Sequence, residues 1–236
     1  KKTSSRFKKI IQKSQKNQEL NKQDIKYLLK TKGEEKETLF SEANLVRQTY
    51  LRDFFCIHGI IEFSNYCKND CYYCGLRCEN KNLKRYRMSK AEILKATENA
   101  IKKGYKLLVL QSGEDYFYTD EMLVDIIYSI KKRYKVFIFV SVGERGFEAY
   151  RKIKEAGASG VLFRFETSNA KLFKKYHSKG KKLKNRLGHL SFFKKLNYFI
   201  ATGSLIGLPG QTIDDLADDI LMTKKWANMV SMGPYL

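Results

Sequence analysis

The feature that most constrains the fold is a series of short apolar runs separated by amphipathic helical segments. The runs are IHGIIEF (57–63), LLVLQ (107–111), VFIFVSV (136–142), GVLFRFE (160–166), FIATGSLIGL (199–208) and MVSMGPYL (229–236). Runs that are apolar at nearly every position are typical of strands buried on both faces. Strands that alternate with helices along the chain indicate successive βαβ units and a parallel sheet.

Helix starts are marked by side chains that can cap a helix N-terminus. Ser89 with Glu92 forms a capping-box pattern before one helical segment, and Thr212 with Asp215 forms another. Thr119 precedes a third segment, which carries Leu123 and further apolar residues at helical spacing. These signals predict helices between the apolar runs.

Two architectures fit this alternation, a doubly wound sheet and a (β/α) barrel. Both carry their chemistry at the carboxyl ends of the strands. Neither G-x-G-x-x-G nor G-x-x-x-x-G-K-[ST] follows any run, so no nucleotide fingerprint supports the doubly wound sheet. We therefore predict an α/β fold of the barrel type over residues 53–236, preceded by a polar, helical N-terminal segment over residues 1–52.

Composition bears on the partners and the compartment. The net charge of +21 is spread over the whole chain, so lysines on solvated helix faces account for it and nucleic acid is not the expected partner. The apolar runs are too short to span a bilayer, and no charged-then-apolar leader is seen. We expect a cytoplasmic protein without membrane association, where clustered cysteines bind metal or catalyse reactions more often than they form disulfides.

Three cysteines, Cys67, Cys71 and Cys74, directly follow the first apolar run. A tetrahedral zinc site would need a fourth ligand, either His58 or Cys78. A [4Fe–4S] cluster on four cysteines would use Cys78, although the spacing differs from the ferredoxin pattern. Alternatively, three thiolates on three irons leave the fourth iron open to a substrate. The remaining cysteine, Cys56, reads as a small buried residue, and Cys78 reads as a bystander in the third arrangement.

The C-x3-C-x-aromatic-C arrangement, with Tyr73 before the last cysteine, resembles the radical S-adenosylmethionine (SAM) superfamily. This resemblance implies a partial or complete barrel, a [4Fe–4S] cluster and SAM, which is cleaved to methionine and a 5′-deoxyadenosyl radical. Further stretches resemble the HydE-type maturases of [FeFe]-hydrogenase, a group close to biotin synthase and methylornithine synthase. These stretches are GIIEFSNYCKNDCYYCGLR, NKNLKRYRMSKAEI, LVLQSGED, SVGER, RFETSN and SLIGLPGQTIDDLADDI.

The resemblance also implies roles for individual residues. It implies that the cluster is held by Cys67, Cys71 and Cys74 and that Arg164 faces the substrate. It implies that SAM is bound by Tyr73, Gln111, Ser112, Gly113, Glu114, Ser141, Glu166 and Arg186.

Plainer readings of these residues remain open. QSGED (111–115) can be a strand-end turn, and Ser141 can simply end a strand. Arg164 and Glu166 lie two apart on an apolar run, so they can form an internal salt bridge on one face. Arg186 stands among many basic residues, as a surface arginine would. Relatives carry histidine between the two charged residues of that run, where this chain has Phe165.

The resemblance implies a small-molecule substrate, an electron donor such as ferredoxin or flavodoxin, and other hydrogenase maturases as partners. Biotin synthase-like or methylornithine synthase-like chemistry is the alternative within the superfamily. From a different class, a basic iron–sulfur protein that binds RNA or transfers electrons remains open. Salt-sensitive RNA binding without SAM cleavage would favour that reading.

The last apolar run reaches Leu236 with no turn or helix after it. Family members continue past the corresponding segment with further βα units. We therefore expect a fragment that lacks the C-terminal part of the barrel. A natural short form, with its edge covered by the helices of residues 1–52 or by a second copy, is the alternative.

Overall fold

The structure, a computed structural model, describes residues 3–52 and 54–236. Its helices are α1 Ser5–Gln15, α2 Lys22–Leu28, α3 Gly33–Leu51, α4 Lys90–Lys102, α5 Asp120–Arg133, α6 Phe147–Glu155, α7 Ala170–Tyr176, α8 Leu183–Lys195 and α9 Ile213–Trp226. Its strands are β1 Gly59–Ser64, β2 Leu107–Ser112, β3 Phe137–Ser141, β4 Gly160–Leu162, β5 Phe199–Thr202, β6 Leu205–Ile206, β7 Met229–Val230 and β8 Gly233–Pro234.

One parallel sheet dominates the fold. Its strand order is β1-β2-β3-β4-β5-β7, and every neighbouring pair is parallel. Each crossover leads to the adjacent strand and the order never reverses, as in a barrel, whereas a doubly wound sheet reverses at a switch point. The predicted α/β fold of the barrel type is confirmed, with part of a barrel's strands. β6 and β8 pair in a second, two-stranded parallel sheet.

The main core lies between the sheet and its helices. Alternate strand residues such as Ile61, Leu108, Ile138 and Val161 pack there against α4, α5, α6 and α8. The opposite face of the sheet carries a smaller apolar cluster of Val109, Phe139 and Ala201. On that face Ile60, Phe137 and Phe199, near the strand starts, are exposed. Burial on both faces therefore holds for the middle of the sheet and not for its amino-terminal edge.

The predicted helix starts are confirmed. The Ser89 side chain accepts from the Glu92 backbone N–H while the Glu92 carboxylate accepts from the Ser89 N–H, which is a complete capping box. Thr119 caps α5 by accepting from the Met122 N–H. Thr212 and Asp215 bond reciprocally at the start of α9. These local signals decide where the helices begin.

Three of the predicted strands are wrong in extent. The run 160–166 was expected to be one strand, but β4 ends at Leu162, and Glu166 has a φ of 68°, which no extended strand accommodates. The run 199–208 breaks into β5 and β6, and the run 229–236 breaks into β7 and β8. In the last two runs the second piece leaves the main sheet, because β6 and β8 pair with each other.

The chain divides into two compact units, and the first consists of residues up to Cys56 together with Gln211–Leu221. Within it Lys22 lies 2.7 Å from Asp218 and Lys26 lies 2.9 Å from Asp214. Helix α3 forms as predicted but has no buried residue, so its apolar face stays exposed. Cys56 is also exposed, and its expected burial is wrong because it lies outside any strand or helix.

The second unit consists of Ile57–Gly210 and Met222–Leu236 and contains both sheets. The carboxyl ends of β1 to β4 lie in this unit, as do all the residues that were predicted to bind the cluster, the cofactor or the substrate. Within the described ranges, no helix has the length and apolar character needed to cross a membrane.

Candidate functional site

The cysteine loop, defined here as residues 65–80, leaves the carboxyl end of β1 and is held by its own backbone. The Cys78 N–H donates to the Asn69 carbonyl at 2.9 Å, and the Cys74 N–H donates to the Cys71 carbonyl at 2.9 Å. Arg85 lies against the loop and donates to the carbonyls of Leu76, Arg77, Asn80 and Asn65. One guanidinium with its fixed set of donors therefore holds the loop as a compact coil.

The thiols of three cysteines line one cavity of about 200 Å³ at the carboxyl ends of the strands. They are Cys67, Cys71 and Cys74. Cys78 is not among the lining residues. His58 precedes β1, about 20 Å from the loop at roughly 3.3 Å per strand residue. Of the four-ligand alternatives, the structure thus brings neither fourth residue to the cavity. No three His, Cys, Asp or Glu side chains among the described residues form a group suited to a single metal ion.

Backbone donors and positive charges surround these sulfurs. The N–H groups of Asn69 and Glu114 donate to the Cys67 Sγ at 3.4 and 3.3 Å. Burial raises the pKa of the Cys71 and Cys74 thiols. Nearby positive charge opposes this rise, from Arg186 at Cys71 and from Arg164 at Cys74.

Most of the other residues predicted for the site also line the cavity. They are Tyr73, Ser112, Glu114, Ser141, Arg164, Glu166 and Arg186. Gln111 does not line it, and neither does Gly113. A Cβ at Gly113 would overlap the Tyr66 carbonyl and the Cys67 side chain, so this glycine lets the end of β2 approach the cysteine loop. The SAM contact that the resemblance implies for Gly113 stays a prediction.

Glu114 is a buried carboxylate saturated by protein donors. Lys181 Nζ lies 3.0 and 2.9 Å from its two oxygens, and Lys68 Nζ lies 3.0 Å from Oε1. Asn69 Nδ2 and the Glu144 N–H each donate to Oε2 at 3.0 Å. Burial alone would raise the pKa of Glu114, but the Lys181 ammonium and these hydrogen bonds hold the pKa below its usual value. The chain itself thus supplies ammonium partners to Glu114, and the predicted contact of Glu114 with SAM stays a prediction.

Arg164 and Glu166 pair with each other and also face the cavity. Arg164 Nη2 lies 3.1 Å from Glu166 Oε2, and Arg164 Nε donates to Oε1 at 3.2 Å. Burial raises the pKa of Glu166, and the charges of Arg164 and Arg186 oppose the rise. The internal salt bridge and the position in the site, two readings that were opposed at the sequence level, thus occur together. Phe165 between them is fully buried in the main core and does not line the cavity.

Arg186, which the sequence alone would assign to the surface, is held inside the site by α8. Its Nε lies 3.0 Å from Glu144 Oε1, and its guanidinium lies 4.4 Å from the centre of the Phe163 ring. Lys181 Nζ contacts the other oxygen of Glu144 at 3.1 Å. Arg186, Glu144, Lys181 and Glu114 therefore form one chain of alternating charges along the cavity wall.

Tyr73 faces His177 beside the cysteines. Its hydroxyl lies 3.1 Å from His177 Nε2, and the two rings meet edge to face with centres 5.0 Å apart. Burial raises the pKa of Tyr73 well above its ordinary value. Burial also lowers the pKa of His177 to about 3, so this imidazole is neutral near neutral pH.

Sequence reasoning missed several residues of the site. The cavity is also lined by Asn69, Arg77, Gly143, Leu162 and Phe163. Asn69 and Arg77 carried a local signal, because both lie inside the cysteine loop. Glu144, His177 and Lys181 carried none, since their roles depend on which segments meet in space.

The residues present fit an iron–sulfur cluster and a charged cofactor. Three thiols face one cavity, and backbone N–H groups are directed at two of the sulfurs, as thiolate ligands require. Glu166 Oε2 is buried without a hydrogen-bond partner among the described residues, although Arg164 lies beside it. A carboxylate oxygen with unused hydrogen-bonding capacity can accept from a bound molecule.

Comparison with known proteins agrees with this geometry. The profile of the Radical SAM superfamily matches residues 61–222. The chain is 47% identical over 201 residues to the [FeFe] hydrogenase maturase subunit HydE of Thermotoga maritima, covering 85% of this chain and 57% of that protein. It is 33% identical over 194 residues to 3-methylornithine synthase of Methanosarcina acetivorans, covering 80% and 55%. The chain thus spans a little over half the length of these relatives.

Solved structures share the fold. Methylornithine synthase (PylB) aligns with a TM-score of 0.89 at 27% identity, covering 98% of this chain and 68% of that chain. The maturase HydG from Carboxydothermus hydrogenoformans aligns with a TM-score of 0.81 at 25% identity, covering 97% and 56%. The profile match covers well over half of the residues, and it includes the cysteine loop and all the cavity-lining residues: this chain belongs to the radical SAM superfamily.

Proposed function

We propose that Cys67, Cys71 and Cys74 hold a [4Fe–4S] cluster and that one iron remains free of protein ligands. The observation that carries this proposal is the convergence of these three thiols, without Cys78, on one cavity that also contains Glu166 and Arg186. Members of this superfamily use such a cluster with SAM. When bound, cluster and cofactor together supply one-electron cleavage of a sulfonium to methionine and a 5′-deoxyadenosyl radical.

The chain's own residues bind and orient the cofactor in this proposal. Arg186 offers a planar guanidinium suited to a carboxylate. Tyr73, Ser112 and Ser141 contribute an aromatic ring and hydroxyls at the cavity wall. Glu166 Oε2 is paired with Arg164 but can accept a further hydrogen bond from a donor. Glu114 acts indirectly, by holding the cavity wall in place, because Lys181 and Lys68 already neutralise its charge. Gln111 and Gly113 contribute by shaping the end of β2.

The proposed biological role is maturation of [FeFe]-hydrogenase, supported by 47% identity to HydE. Arg164 faces a small-molecule substrate, which we propose contains iron or sulfur. A low-potential donor such as ferredoxin or flavodoxin supplies the electron, and other hydrogenase maturases are partners. A cytoplasmic location is part of the proposal, because metal-binding thiols must stay reduced.

A methylornithine synthase-like reaction is the second candidate, because the chain aligns with that enzyme's structure at a TM-score of 0.89. The cavity wall combines Leu162 and Phe163 with the Arg164 guanidinium, which suits a small amphiphilic substrate such as an amino acid. Formation of methylornithine under turnover conditions would favour methylornithine synthase-like chemistry.

The experiment is anaerobic reconstitution with iron and sulfide, followed by dithionite and SAM. We expect a [4Fe–4S] electron paramagnetic resonance signal and formation of 5′-deoxyadenosine and methionine. Alanine at any one of Cys67, Cys71 or Cys74 abolishes the cluster. The matched controls Cys56→Ala and Cys78→Ala retain it, since neither thiol lines the cavity. Complete loss of the cluster in Cys78→Ala would contradict the three-cysteine site.

A further inference from the structure

Two short segments that are far apart in the sequence meet residue by residue beside the cavity. Residues 71–73 belong to the cysteine loop, and residues 176–178, termed here the brace segment, follow from the end of α7. Three hydrogen bonds join them: Tyr72 N to Tyr176 O at 2.9 Å, the Tyr73 hydroxyl to His177 Nε2 at 3.1 Å, and Ser178 N to Cys71 Sγ at 3.4 Å. Each residue of one segment therefore has one partner in the other.

The brace segment has anchors outside the cysteine loop, although Tyr73 of the loop also packs against the same apolar cluster. The Tyr176 ring packs in an apolar cluster with Leu172, Leu205 and Leu208. Its hydroxyl donates to the Pro209 carbonyl at 2.7 Å. The segment therefore offers a fixed surface against which the loop is held.

His177 is fixed in orientation and in tautomer by Phe173, one helical turn earlier. The two rings stack with centres 3.6 Å apart. His177 Nδ1 lies 3.0 Å from the Phe173 carbonyl, so this nitrogen carries the hydrogen and donates it. Nε2 then has a free lone pair directed at the Tyr73 hydroxyl, which donates to it.

We propose that His177 is a positioning residue, which holds Tyr73 and thereby keeps the Cys71 Sγ on the Ser178 N–H. The proposal rests on the proposed function, in which Cys71 is a cluster ligand. A hydrogen bond to a ligating sulfur stabilises negative charge on it and is one of the determinants of a cluster's reduction potential. Loss of His177 therefore loosens Cys71 and makes the bound cluster harder to reduce.

Three variants and one control isolate this contact. His177→Phe keeps a ring on Phe173 but removes the imidazole nitrogen that accepts from the Tyr73 hydroxyl, and Tyr73→Phe removes the donor. The double variant removes both partners. Tyr198→Phe is the matched control, because it deletes a buried hydroxyl that donates to the Tyr150 carbonyl at 2.7 Å, away from the cysteine loop.

The first measurement uses the cluster-free protein and needs no cofactor. The alkylation rate of Cys71 relative to Cys74 is followed by peptide mass spectrometry. We expect His177→Phe to raise this ratio about two- to tenfold, the effect of losing one buried hydrogen bond on local opening. The double variant gives no larger increase than His177→Phe, since both substitutions remove the same contact, and Tyr198→Phe gives none. An unchanged ratio in His177→Phe overturns the proposal.

The second measurement is the midpoint potential of the reconstituted cluster, in protein with full iron content. In His177→Phe the potential becomes more negative, so the ratio of reduced to oxidised cluster at the wild-type midpoint falls about two- to tenfold. A loss of fold stability alone would leave the potential of the loaded protein unchanged, and an unchanged potential also overturns the proposal. If wild-type protein binds no cluster, the proposed function fails, whereas the alkylation ratio still decides the positioning role.

Discussion

Glu166 adopts a backbone conformation that few residues other than glycine adopt. Its φ of 68° lies in the left-handed region, where a side chain crowds the following carbonyl. The surrounding backbone holds it there, because its N–H donates to the Gly203 carbonyl at 3.2 Å and its carbonyl accepts from Leu205 at 2.9 Å. Strained conformations of this kind persist where the surroundings over-determine them, and here the result is a carboxylate at the cavity wall.

Glu166 and Arg186 are expected to contribute directly to SAM affinity. Glu166→Ala and Arg186→Ala should retain the cluster but weaken SAM binding about ten- to a hundredfold, the effect of losing one charge-assisted contact of about 1.5–3 kcal/mol. Calorimetry on anaerobic, cluster-loaded protein measures the affinity. Arg151→Ala, which removes an exposed arginine paired with Glu148, is the control and should bind normally. Wild-type affinity in both site variants would exclude these two residues from the cofactor site.

Substitution of Gly113 tests how tightly the end of β2 packs against the cysteine loop. Gly113→Ala places a methyl group against the Tyr66 carbonyl and the Cys67 side chain, so we expect a loss of about 1–3 kcal/mol in the free energy of unfolding. Gly75→Ala, in the same loop, is the control, because a Cβ there has no neighbour within 4 Å. Urea unfolding of the cluster-free protein measures the free energy of unfolding of both variants. Equal values would show that the cysteine loop shifts to accommodate the added methyl group.

At the scale of elements, Asp115 fastens both ends of the connection between β1 and α4, which contains the cysteine loop, to the end of β2. Its carboxylate accepts from Ser64 at 2.7 Å and from the Arg87 guanidinium at 2.8 and 3.0 Å. Ser64 and Arg87 also pair with each other as an isolated antiparallel bridge. The Arg87 guanidinium lies over the Tyr66 ring as well, with 3.8 Å to its centre. One carboxylate thus closes the loop between β1 and α4.

This arrangement predicts a pH dependence of stability. Burial alone would raise the pKa of Asp115, but Arg87 and Ser64 hold the pKa below its ordinary value of 3.8. A folded-state pKa below the unfolded one gives stability that is present above pH 3.8 and is lost as pH falls through the folded value. Asp115→Asn should therefore lower the free energy of unfolding by about 1–3 kcal/mol at pH 6, and by progressively less below pH 4.

Urea unfolding of the wild type and the variant at several pH values measures this difference. The exposed Asp125, which lies 2.7 Å from Lys90, provides the control Asp125→Asn, whose effect should stay small throughout. If the free energies of unfolding of Asp115→Asn and the wild type differ by the same amount at every pH, then Asp115 acts through packing and not through its charge.

Elements with local signals were predictable, and elements that depend on distant contacts were not. β2 and β3 fall within one residue or so of their predicted bounds, because apolar runs with turn residues on both sides define them. The cysteine loop was predictable because its ligand spacing lies within one short stretch. The end of β4 at Leu162 was not, since the contacts of Glu166 with Gly203 and Leu205 produce it. The pairing of Lys181 with Glu114 spans 67 residues and leaves no mark in either local sequence.

On the scale of the whole molecule, a large net charge coexists with exposed apolar side chains. The chain of 236 residues has a net charge of +21. Phe137 and Phe199 are 62% and 44% exposed on one face of the main sheet, and Phe54 and Phe55 are each 69% exposed. Exposed apolar side chains, where they are grouped on one surface, mark sites that bind other surfaces or promote association. Net charge opposes association, and salt weakens that opposition by screening.

The protein is therefore expected to bind a hydrophobic dye strongly and to associate as salt is added. Phe137→Glu and Phe199→Glu should each lower dye fluorescence and raise the salt concentration at which light scattering begins. Neither should change the free energy of unfolding by more than about 0.5 kcal/mol, because both side chains are already largely exposed. Tyr128→Glu is the control, since it replaces an aromatic residue 57% exposed on α5, away from the open face of the sheet. A wild-type protein that stays monomeric at high salt without binding dye would show that this face is covered in solution.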